Sequence, residues 1–433
     1  MNIREGLGYI KRGILCLIIT AGICVGLLIL TSCISTSVIE KSVKDSSEYF
    51  LKNELFMQLR PGYAETTCDN YADCIWINII YEIDTRKPFA SAIKAEYAYE
   101  ENENVNTTLK RAVSAEGKGR IEKISYNRYW HGSMVLIRPL LILGDVQVVR
   151  GILAAITAIL FGYNVLILYK RYSKSASLYY LLAFGIVQGY VMFHCINYVM
   201  NFLIVNVMLL LLEKKIVQRD EAFYCFMTAG GIVTCFCDFL TTETVTLTLP
   251  LVIYLLIRQK EAEKLNEPRL EPVKCVVVSL FSWGTGYSFM FLFKWLLVYL
   301  FLGKEELVSS LQQANMRIQD GNVFLALCNN IAAMFHLKQY EFQRYGMFLA
   351  IGFVILASVI FLVTVKQGNA FINAMILVSL IPYLRYGMIK NHSQIHYFFT
   401  YRAQITTLLV LLLCMESIWK EVKTQRSEKQ SRK

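Results

Sequence analysis

The segment YNRYWHGSMVLIRPLLIL, residues 126–143, joins a long polar stretch to a series of apolar runs. Tyr126, Tyr129 and Trp130 crowd its front, the composition of a chain meeting a lipid headgroup layer. Behind them Arg138-Pro139 interrupts an apolar run. An arginine at that depth is costly unless it snorkels, pairs or binds an anion. The proline limits any helix there to a short piece. The segment reads as an interfacial element with His131 and Arg138 as its polar contribution. The simpler alternative is that Arg138 only snorkels to headgroups.

The chain around it is 55% hydrophobic, 13% aromatic and only 18% charged, with a mean hydropathy of +0.42. Soluble domains average about a quarter charged. Successive long apolar runs therefore define an all-α polytopic membrane protein. The net charge of +11 gathers in short loops and tails, where lysine and arginine set orientation; it does not indicate nucleic-acid binding. Most of the twelve cysteines fall in or beside apolar runs and read as small core residues. Cys68 and Cys74 lie in a polar stretch, where a disulfide and free thiols are both compatible with the sequence.

A basic start and a first span occupy residues 1–34. Residues 35–145 form the largest extramembrane portion, with helical character expected at 49–59 and 73–83. A mobile Asn-, Thr-, Glu- and Gly-rich loop is expected at 102–119. Spans two to seven fill residues 146–302: 146–169, two crossings within 178–212 split near 195–198, 223–240, 245–257, and 273–302 with a bend at Gly284 and Gly286. A second amphipathic loop covers 303–345, spans eight to ten lie within 346–419, and residues 420–433 form a basic tail. The total is about ten spans. Placing the N-terminus inside puts Lys170, Arg171, Lys174, Lys214, Lys215, Arg219, Arg258, Lys260, Lys264, Lys366 and the tail inside as well. Both termini are then cytoplasmic, and both long loops face outward.

Every unusual polar cluster falls on the outer side of this arrangement. Asp69 and Asp73 share one helical face and suit a general base or a metal. The alternative is a solvated helix start capped by Asp69. Asp238 closes a span before Thr241, Thr242 and Glu243; a carboxylate there is a functional hypothesis by default, or a cap on the next span. His392 and His396 stand four apart, followed by Arg402, with Arg385 and Lys390 just before. Two of the chain's five histidines and several hydroxyls there suit a phosphate cradle, and the spacing alone is weak for a metal. Neither a nucleotide-binding glycine loop nor a Gly-x-Ser-x-Gly elbow is present.

Taken together, Asp69-Asn70-Tyr71-Ala72-Asp73, Tyr129-Trp130-His131-Gly132 with Arg138-Pro139-Leu140-Leu141, Cys237-Asp238-Phe239-Leu240-Thr241, and Asn391-His392-Ser393 through His396 to Arg402 resemble a family of multi-pass bacterial membrane proteins with the architecture of GT-C glycosyltransferases. The resemblance implies a GT-C-like bundle with a large extracytoplasmic first loop, a polyprenyl-phosphate-linked sugar as donor and an essential acidic residue in that loop. The acidic pair here lies further along the loop than in that group. The implied activity is sugar transfer to a glycan or glycolipid acceptor in cell-surface assembly. Asp69 or Asp73 would act as base, Asp238 would orient the acceptor, and His131, Arg138, His392, His396 and Arg402 would hold the phosphate. A non-catalytic lipid-linked glycan transporter or assembly factor is the alternative. No cofactor follows from the sequence; a divalent metal is one option. The phosphate role requires Arg138 and at least one of His392, His396 and Arg402 to face a shared cavity.

Overall fold

The computed structural model describes residues 3–431 apart from 115, 116, 118, 216, 218 and 266–270. Parts of the loop expected at 102–119, of the linkers after 212 and 264, and of the basic tail lie outside the described residues. The described chain is almost entirely helical, with two short two-stranded sheets.

Among the described residues, six helices are long and apolar enough to cross a membrane: Lys11–Ser32, Val146–Tyr172, Pro272–Leu302, Gln339–Val365, Ala370–Met388 and Tyr397–Ser431. They correspond to the first, second, seventh, eighth, ninth and tenth expected spans. The other four expected spans are helices Lys174–Ile186, Ile196–Leu212, Asp220–Cys237 and Val245–Leu265. Ile196–Leu212 is apolar but has only 17 residues.

Several boundaries follow directly from local chemistry. Asp145 caps Val146–Ile167 by accepting the Gln147 and Val148 N–H groups at 3.1 and 3.2 Å, as expected of a helix N-terminus. Pro382 lacks an N–H, so the ninth span breaks at Leu380 into Ala370–Ser379 and Ile381–Met388. The break expected near 195–198 falls earlier, in the 3₁₀ turn Gly189–His194 that follows Gln188 at φ +48°. Helix Ile196–Leu212 then starts afresh.

The extramembrane portion is more ordered than its composition suggests. Helices Thr36–Lys52 and Asn70–Tyr81 flank a hairpin in which Phe56 pairs with Asp69 and Met57 with Cys68. The helix expected over 49–59 therefore stops at Lys52, and residues 56–58 are strand. The expected loop at 102–119 contains helix Val105–Ala112, whose Leu109 and Ala112 are buried. Its amphipathic spacing outweighs its polar composition. Cys68 and Cys74 are both free and buried; the Cys68 thiol meets Cys195 instead.

Helix Pro272–Leu302 runs without a break through Gly284 and Gly286. Gly286 serves close packing against helix Asp220–Cys237. A Cβ there would stand 2.1 Å from the Thr228 carbonyl oxygen, and one on Gly231 would stand 2.1 Å from that of Trp283. Small residues at such crossings bring backbones together within the bilayer. Gly284 faces open space. Gly286→Val should therefore lower the thermal unfolding midpoint of the detergent-solubilised protein, by the ~1–3 kcal/mol of core overpacking or more. Gly284→Ala should leave it within the range of a neutral substitution.

Candidate functional site

The first turn of helix Ile196–Leu212 collects the acidic residues. Asp73 is fully buried and accepts the backbone N–H groups of Ile196 at 2.9 Å and Asn197 at 3.1 Å. A carboxylate is favoured at that positive end of a helix. The Arg150 guanidinium completes the arrangement, with Nε 2.8 Å and Nη2 2.6 Å from Asp73 Oδ2. Arg150 also donates to Tyr49 Oη and Asn70 Oδ1. Asp73 is thus committed to joining helices Asn70–Tyr81, Val146–Ile167 and Ile196–Leu212.

Asp69 caps its own helix, accepting the Ala72 N–H at 2.9 Å, and accepts Asn197 Nδ2 at 3.0 Å. Burial pushes its carboxyl up to about 6, with the Asp73 charge adding to the rise. One turn on, Asn201 Nδ2 donates to Asp238 Oδ1 at 2.7 Å. Asn197 and Asn201 therefore hold Asp69 and Asp238 on one face of a single helix.

Asp238 begins the turn 238–244. Its Oδ1 also accepts the Thr241 hydroxyl at 2.6 Å. Leu240 stands at φ +63°, a conformation that costs a branched residue roughly 1–3 kcal/mol and persists only where the surroundings enforce it. The enforcing contacts are visible. Arg385 Nη2 donates to the Leu240 carbonyl at 2.6 Å, and His392 Nε2 lies 2.8 Å from the same oxygen. Arg385 also pairs with Glu243 at 2.7 Å and donates to Ser393 Oγ at 3.0 Å. The 69–73, 238–243 and 385–393 clusters thus meet in one layer.

The remaining anion-binding candidates are each engaged by other groups of the protein. Arg138 is fully buried; it donates to the carbonyls of Ile80 and Ile34 and to Thr36 Oγ1. Burial pulls it down to about 10, so it stays cationic near neutrality. It does not snorkel, because Ile80 and the end of the first span supply its acceptors. Arg402 is likewise buried and donates to the Glu65 carbonyl at 2.6 Å, with Tyr198 and Tyr401 beside its cation. His131 sits at φ +55° and is buried among Tyr126 and Phe239. Burial lowers it to about 3, so the ring is neutral, and Nε2–H donates to the Tyr126 carbonyl at 2.7 Å. His392 and His396 lie ring to ring at 4.5 Å. No group of three or more His, Cys, Asp or Glu side chains arranged for a metal occurs among the described residues.

A cavity of about 540 Å³ opens on the other side of the 238–244 turn. Leu280, Trp283, Tyr287, Phe291 and Trp295 of helix Pro272–Leu302 form its apolar wall, and Ser310, Ala314 and Ile318 of helix Lys304–Gln319 close it. Its charged groups are Arg128, Arg385 and Glu243. Arg385 is balanced by Glu243. Arg128 lies over the rings of Tyr126 and Tyr129, at 4.0 and 5.6 Å, and pairs with no carboxylate among the described residues. The Thr244 hydroxyl and the Trp295 indole N–H also line the cavity, buried and without a hydrogen-bond partner among the described residues. A cation without a carboxylate partner and two unused polar groups on an apolar wall suit an amphiphilic anion.

Arg128 stands within the segment 126–143, where its flanking tyrosines are a stacking signal. Arg150 and Lys294 were the other available signals: single cations inside apolar runs, functional or structural by default. Lys294 is buried and donates to the Ile93 and Ala92 carbonyls at 2.8 and 3.3 Å.

The fold and the site define a helical protein with helices long and apolar enough to cross a membrane and an amphipathic cavity lined by residues 128–129, 240–247, 280–318 and 381–389. Comparison with protein-family models, curated proteins and solved structures returns no match. Removing one partner of a buried ion pair costs ~3–5 kcal/mol. Arg150→Met should accordingly destabilise the protein by about that amount. The double variant Asp73→Asn/Arg150→Met should recover part of the loss, both read by thermal unfolding in detergent.

Proposed function

We propose that the protein is a GT-C-like glycosyltransferase that takes a sugar from a polyprenyl-phosphate carrier and passes it to an extracytoplasmic acceptor in cell-surface glycan assembly. The observation that carries this reading is the cavity. An aromatic and aliphatic wall suits a prenyl chain, and Arg128, lacking a carboxylate partner, suits the carrier's phosphate. Arg385 and Arg128 take the anion-binding role in place of Arg138 and Arg402, whose guanidinium groups are occupied by main-chain carbonyls. Asp69 is the base: burial brings its carboxyl near the working range for proton transfer. Asp73 holds the helices that position it. Asp238 orients the acceptor, one helical turn from Asp69 along the Asn197–Asn201 face.

One observation favours the alternative of a lipid-linked glycan transporter or assembly factor: Asp69, Asp73 and Asp238 are all buried. Purified protein with a radiolabelled short-chain prenyl-phosphate sugar and a candidate acceptor separates the two. Turnover that falls about 10- to 100-fold in a folded Arg128→Gln variant, the worth of one charged hydrogen bond, is the expected result. Arg128-dependent binding without turnover would assign the transporter instead.

A further inference from the structure

Asp238 is buried and unevenly bonded. Oδ1 accepts Asn201 Nδ2, the Thr241 hydroxyl and the Thr241 N–H at 2.7, 2.6 and 3.1 Å, whereas Oδ2 receives only the Thr241 N–H, at 3.2 Å. Beside it, Asn201 is 1% exposed and its Oδ1 is reached by no donor among the described residues. One half of an acid–amide pair is therefore formed. A proton on Asp238 Oδ2 would complete it by donating to Asn201 Oδ1, satisfying a buried acceptor that otherwise costs free energy.

The charges around the cavity give this proton a role. Arg128, Arg385 and Glu243 line it, and Asp238, on the same turn as Glu243 but outside the lining, interacts electrostatically with Glu243 and Arg385. With Asp238 ionised, Arg128, Arg385, Glu243 and Asp238 together carry no net charge, although neither carboxylate pairs with Arg128. A bound monoanion would then leave an uncompensated negative charge against an apolar wall, which is strongly unfavourable. Protonating Asp238 restores balance. Glu243 cannot substitute easily, because Arg385 holds both its oxygens, at 2.7 and 3.3 Å. The other titratable or charged groups around Asp238 are Tyr287 from helix Pro272–Leu302, Cys235 and Cys237 from its own helix, Glu243 and Arg385 themselves, and His392, which meets the Leu240 carbonyl of the same turn. None offers an equally accessible carboxylate oxygen.

We propose that the cavity binds an anion together with one proton, and that Asp238 Oδ2 carries that proton. The inference rests on the cavity receiving an amphiphilic anion, and goes beyond it by making that binding proton-linked.

The test is calorimetric titration of the full-length protein in detergent with dodecyl methyl phosphate, a phosphodiester that keeps one charge across the range studied. Buffers of differing ionisation enthalpy report proton uptake. The expected result is uptake approaching one proton per anion on the alkaline side, with affinity falling toward about tenfold per pH unit there. Asp238→Asn, already neutral, should bind with affinity independent of pH and without that uptake. Binding without uptake, or unchanged uptake in Asp238→Asn, would overturn the proton linkage and leave the cavity assignment standing. No binding at any pH would overturn both.

Discussion

The arrangement depends on one buried ion pair placed at a helix end. Asp73 receives Arg150 and the first two free N–H groups of helix Ile196–Leu212. Three attractive terms act together there: the guanidinium charge, the helix dipole and two backbone donors. They offset the desolvation that makes an isolated buried carboxylate costly. Because the partners come from the extramembrane domain and two bundle helices, the pair fixes where that domain sits. Asn197 and Asn201 can only gather Asp69 and Asp238 once helix Ile196–Leu212 begins where Asp73 holds it.

The 238–244 turn transmits this constraint to the cavity. Arg385 and His392 hold its Leu240 carbonyl, which sustains a positive φ at a leucine. The turn presents Glu243 and Thr244 to the apolar wall. At the cavity's edge, helix Lys304–Gln319 is pinned to the segment carrying Arg128: Ser310 donates to Asn127 Oδ1 at 2.8 Å and Asn127 donates to Glu306 at 2.5 Å. Arg128 is thus positioned by its neighbours on both sides, with its own guanidinium stacked on tyrosines rather than paired with a carboxylate.

Much of this was legible in the sequence. The apolar runs marked the long helices, Asp69 as a helix cap was one of two readings, and the acidic turn and the histidine segment were both singled out before being found in contact. What was not legible concerns the choice of partner. Arg138 and Arg402 looked like anion receptors because local sequence cannot show main-chain carbonyls arriving from residues 34, 80 and 65. Arg150 and Lys294 were passed over inside apolar runs, where only tertiary contacts reveal their acceptors. Arg128 was not singled out, because its importance comes from the absence of a carboxylate partner among the described residues of the fold. The four middle helices were counted as spans on hydrophobicity, a property that burial within a bundle produces equally well.

The central claim is that the cavity receives an amphiphilic anion through Arg128. Native mass spectrometry of the protein extracted from its own membrane reads this most directly, by identifying lipids that co-purify with the wild type and with Arg128→Gln. The account predicts an anionic phosphate-bearing lipid retained by the wild type and lost from the variant. The same lipid retained equally by both, or only neutral and zwitterionic lipids on the wild type, would contradict it.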